Sequence, residues 1–60
     1  MEEIMRKQNK AGKVFRVVRT HPIWHFFIIQ YLDSNIWKQA TDKIMLHAEA
    51  VATFNAIINQ

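Results

Sequence analysis

The residues able to do chemistry in this 60-residue chain are three histidines, five carboxylates, one serine and eight Lys or Arg. There is no cysteine, so disulfides and thiolate metal sites are excluded. His21 and His25 have the i, i+4 spacing that sets two metal ligands on one face of a helix. Pro22 lies between them, however, in a segment that reads as turn and strand. In an extended chain that spacing separates the rings by roughly 13 Å. No third ligand is near them in sequence, and His47 reads as a helix-start residue.

The carboxylates are scattered. Asp33 and Asp42 fall in turns, and Glu49 sits where the helix dipole favours an acid. Ser34 lies in a tight turn with no base beside it to activate it. Gly12 is the only glycine, so no glycine-rich loop is present to hold phosphate. The sequence therefore predicts no catalytic site, no metal, no cofactor and no small-molecule substrate.

The cations are concentrated. Arg6, Lys7, Lys10, Lys13, Arg16 and Arg19 are six of the eight. Less Glu2 and Glu3, they give the first nineteen residues +4, and the other forty-one carry −1, for the net +3. Such a basic segment suits nucleic acid, an anionic surface or an acidic protein, and it is also the makeup of a solvated tail. Aromatics interleaved with cations suit stacking on single-stranded bases. Nucleic-acid binding through these six residues is thus the alternative function.

Half the residues are hydrophobic and seven are aromatic, which excludes an intrinsically disordered chain. The longest apolar stretch, Ile23 to Leu32, is too short to span a bilayer, which takes about twenty helical residues. Nor does an apolar run follow the first cations, so no secretory signal is read. The expectation is a cytoplasmic protein without membrane contact.

An arm, three strands and a helix must position these groups. Residues 1–12 read as a flexible basic arm, because Gln8, Asn9 and Lys10 have nothing to bury. A single β-β-β-α domain follows over residues 13–60. Its first strand is residues 13–20, rich in β-branched side chains, and its end is set by Pro22. The second strand is Ile23 to Leu32. Turn chemistry at Asp33, Ser34 and Asn35 leads into a third strand from Ile36 to Thr41. These strands form an antiparallel meander.

The period then becomes helical through Leu46, Ala50, Phe54 and Ile57. The helix starts either near His47 or earlier, capped by Thr41 or Asp42. The fold class is α+β, a three-stranded antiparallel meander with one C-terminal helix packed on one face.

Parity along the second strand sorts its two faces. Trp24, Phe26, Ile28 and Leu32 point one way, joined by Ile36 if the turn holds three residues. This is the purer apolar face, and it is expected to receive Leu46, Phe54 and Ile57. Phe27, Ile29, Tyr31 and Trp37 are then left as an uncovered patch, of the residue types that interfaces favour. A chain this short buries only about 60% of its unfolded surface, so such a patch calls for cover. The leading expectation is a non-enzymatic interaction module, the size of a bacterial or phage adaptor, inhibitor or regulator. It pairs as a homodimer or with a protein partner through those four residues.

Overall fold

Short polar turns and strand-forming runs alternate through the first forty residues, and the computed structural model, which describes residues 2–60, joins them into one sheet. Its strands are β1 (Glu2–Gln8), β2 (Val14–Arg19), β3 (Phe27–Asp33) and β4 (Ile36–Gln39). All neighbours are antiparallel, in the order β1-β2-β3-β4. A single helix, α1 (His47–Ile58), follows. The class is the α+β meander that the pattern predicts, with four strands in place of three.

The additional strand corrects the reading of residues 2–8 as a flexible arm. An edge strand needs a partner on one side only, and β1 places just Met5 against the core. Asn9 and Gly12 make the hairpin that joins it to β2. The Asn9 side-chain Oδ1 accepts the backbone N–H groups of Ala11 and Lys13 at 3.0 and 2.8 Å. Gly12 has φ +83°, a left-handed conformation that costs an L residue energy and a glycine none. The lone glycine is therefore a turn residue within the sheet. Between Glu3 and Met5 the register slips at a β-bulge, which sets Glu3 and Arg6 on the same face.

The second strand begins later than its composition suggests. Residues 21–26 form an exposed loop, closed where the Thr20 N–H donates to the Phe26 carbonyl at 3.0 Å. The Ile23 N–H donates to His21 Nδ1 at 3.1 Å, so this imidazole nitrogen is engaged locally. Ser34 and Asn35 both have positive φ, 52° and 66°, the pattern of a two-residue type I′ hairpin turn. Asp33 thus pairs with Ile36, and Leu32 with Trp37.

After β4 the Ala40 N–H donates to the Ile29 carbonyl at 2.7 Å. The chain then loops out and returns at Met45, which exchanges both backbone hydrogen bonds with Phe27, at 2.8 and 2.9 Å. The helix begins directly afterwards, at the later of the two starts that the sequence allows.

The helix lies over β2 and β3. Ala50 and Phe54 on its inner face are fully buried, and Ala50 is small enough for helix and sheet to approach. They pack on Phe15, Val17, Phe27, Ile29 and Met45, with Met5, Tyr31, Ala40, Ile57 and Ile58 at the rim. The covered face is thus the odd one along β3, the opposite of the face expected. Phe54 and Ile57 do pack inward, whereas Leu46 is exposed. The reason lies in the even face, whose middle row is Arg6, Arg16, Gln30 and Gln39. A helix laid over that row would bury two guanidinium groups, at several kcal/mol per unpaired charge.

Candidate interaction surface

The four residues expected to form one patch do not form one. Phe27 and Ile29 are buried under α1, and Tyr31 lies at the edge of the same core, its ring 6.3 Å from that of Phe15. Trp37 faces the other way, because the two-residue turn pairs it with Leu32. One residue of register moves a side chain to the opposite face.

On the open face Trp37 serves as an internal platform. The Arg16 guanidinium lies 3.9 Å from its ring centroid and that of Arg6 5.1 Å away. Arg16 Nε also donates to Gln30 Oε1 at 2.8 Å, which satisfies that buried amide. Glu3 accepts from Arg6 at 2.7 Å and from Arg16 at 3.4 Å. The hydrogen bond from Arg6, reinforced by Arg16, holds the Glu3 carboxyl below the usual carboxylate range. Arg19 pairs with Glu2.

Three of the six cations assigned to nucleic acid, Arg6, Arg16 and Arg19, are therefore paired with carboxylates within the fold. Lys13 lies over the Tyr31 ring at 4.2 Å and the Phe15 ring at 5.6 Å. Among the described residues, Lys7, Lys10 and Lys13 have no ion-pair partner. These three lie on or beside the β1–β2 hairpin loop.

The other end of the open face is apolar. Val18 pairs with Ile28, and both are buried although α1 is on the far side of the sheet. The bridge between Phe27 and Met45 sets Phe26 beside Leu46 and Ile28 beside Ile44. Met45 points into the core, so by strand alternation Ile44 and Leu46 point to the open side. Their exposures agree, 60% for Ile44 and 63% for Leu46. Phe26 is 40% exposed, and the loop leading into it adds Ile23 at 71% and Trp24 at 60%. The expectation had Trp24 and Phe26 under the helix, with Leu46 packed against them. The residues to look for were the apolar ones flanking a structural interruption, Pro22 on one side and Asp42-Lys43 on the other.

The chemistry of this end is sparse. Lys43 is held by Glu49 at 2.6 Å, and this contact raises the Lys43 pKa. Among the described residues no three His, Cys, Asp or Glu come together to hold a metal ion. Among the described residues no helix is long and apolar enough to cross a membrane. No family model, no curated protein and no solved structure matches the chain.

Proposed function

We propose that this chain is a small non-enzymatic interaction module whose docking surface is the apolar end of the open sheet face. The observation that carries it is the grouping of Ile23, Trp24, Phe26, Ile44 and Leu46, each at least 40% exposed, at one end of the sheet. Monomers rarely leave contiguous apolar surface beyond a few hundred Å². Burying an aliphatic or aromatic side chain is worth about 1.5–3 kcal/mol, so even partial cover of five is a strong drive to associate.

The test places a photo-crosslinking residue at Ile44 and, as a control, at Asn35 in the hairpin turn at the opposite end. Irradiation in cells is expected to give a discrete adduct from position 44 and none from position 35. Absence of any adduct at 44, or equal labelling at both, overturns the proposal.

A second reading, nucleic-acid binding, keeps the support of Lys7, Lys10 and Lys13 alone. Three neutralised phosphates set a log–log salt slope of about −2 to −3, well short of the steeper slope six free cations would give. A slope near −5 would show that the arginines leave their internal partners to bind phosphate.

A further inference from the structure

We infer that the occupant of the apolar end is a second copy of this chain, set face to face about a two-fold axis. The inference rests on the docking surface proposed above and names its partner.

Size is the first argument. The five exposed side chains present on the order of 500 Å² of apolar surface. A stable interface takes about 800 Å² from each partner, with an apolar centre and a polar rim. Thr20, His21, His25 and Lys43 border the five in sequence and supply such a rim. The patch is as large as the centre of one standard interface and needs no further surface.

Charge is the second argument. The centre of the patch holds no acid and no Lys or Arg. Of the charged side chains nearest along the chain, Arg19 and Lys43 are neutralised by Glu2 and Glu49, and Asp42 lines the cleft toward Thr53 of α1, on the covered side of the sheet. Apposing this end to itself therefore brings no unpaired like charges together. An acidic partner would instead be drawn to Lys7, Lys10 and Lys13, near the hairpin loop at the opposite end of the strands.

Composition is the third. Of the five, Trp24 and Phe26 are aromatic and Ile23, Ile44 and Leu46 aliphatic, with Phe26 and Leu46 side by side where the two kinds meet. A two-fold axis at the boundary between Phe26 and Leu46 lays aliphatic side chains of one protomer on aromatic ones of the other and brings each Leu46 close to its own copy, the self-complementarity an isologous contact requires.

The edges of the sheet do not compete for this role. β4 has only four residues. β1 carries a bulge and charges along its length, features that blunt edge-to-edge pairing.

Sedimentation velocity across a concentration series tests the inference, with circular dichroism on each variant. The parent is expected to pass from monomer to dimer mass as concentration rises. Leu46→Lys sets two like charges across the axis and weakens association by more than about a hundredfold. Ile36→Lys, an equally exposed isoleucine away from the patch, leaves association unchanged.

Because the chain has no cysteine, a single Leu46→Cys substitution provides a readout that does not depend on the lysine variant folding. It should form a disulfide-linked dimer under mild oxidation, while Ile36→Cys should not. A parent that stays monomeric while position 44 crosslinks to a different protein overturns the dimer and leaves the docking surface standing. A dimer that persists in Leu46→Lys, with no disulfide from Leu46→Cys, also overturns it by placing the contact elsewhere.

Discussion

Phe26 and Phe27 are adjacent, identical in type and opposite in fate, and replacing each by alanine measures which face α1 covers. Phe27 is 3% exposed, edge-on to the His47 ring at 5.2 Å, and in the cluster closed by Phe54. Removing its ring takes away transfer free energy and leaves a cavity, together about 3–5 kcal/mol. Phe26 is 40% exposed, so Phe26→Ala forfeits only part of a transfer term, about 1 kcal/mol. A domain of this size holds on the order of 3–9 kcal/mol in total. Phe27→Ala should therefore lack a folded baseline in urea titration at 25 °C, or nearly so, while Phe26→Ala unfolds cooperatively. The titration is followed by far-ultraviolet circular dichroism at the lowest workable concentration, so that loss of association does not enter the Phe26 result. Had α1 covered the even face, the order would reverse. Equal costs, or a larger cost for Phe26→Ala, would refute the assignment of faces.

Three other outcomes are expected. Glu3 has its folded pKa lowered by Arg6 and Arg16, so its contribution is present above its unfolded pKa and is lost as pH falls through the folded value. Amide exchange in β1 should accelerate in acid before exchange in β3 does, and Glu3→Gln should remove that pH dependence. Gly12→Ala forces an L residue to φ +83° and should cost about 1–2 kcal/mol in a thermal melt; an unchanged midpoint would mean that the turn relaxes. The double substitution Ser34→Asn with Asn35→Gly installs the preferred pair for a type I′ turn and should stabilise by about 0.5–1 kcal/mol, read by the same melt.

The strand, turn and helix order from residue 14 onward was legible, whereas the helix start stood between two positions, of which the later, His47, is the one adopted. What parity alone could not settle was the length of the turn at Asp33 to Asn35. A turn of three residues and a turn of two use the same sequence chemistry, yet they send Trp37 to opposite faces. The face of the helix was legible in a signal that apolar counting ignored. Arg16 and Gln30 lie mid-strand on the even side, and two polar residues at the centre of a face weigh more than several apolar ones at its ends. β1 was hidden because its only core contact is Met5, so nothing in Glu2–Gln8 alternates. Its strand state comes from pairing with β2, a tertiary effect that local composition does not encode. The candidate surface was half legible. Its residues stand out as apolar, but their exposure follows from Phe27 beginning the strand, which Pro22 hints at without fixing.

The order β1-β2-β3-β4 also bears on time. Every strand neighbour in space is a neighbour along the chain, so each pairing closes only a short loop. Chains of this kind belong among the faster-folding β-containing domains. The hairpin closed by Ser34 and Asn35 has the least entropy to lose and is the natural first contact, within microseconds. The slower event is the arrival of α1, because Phe54 must find Phe15 and Val17 across more than thirty residues of sequence. Until it does, Phe27 and Ile29 stand open beside Phe26 and Ile28, and both faces of the sheet are briefly adhesive. The helix therefore decides how long the newly paired sheet is vulnerable to association by the wrong face.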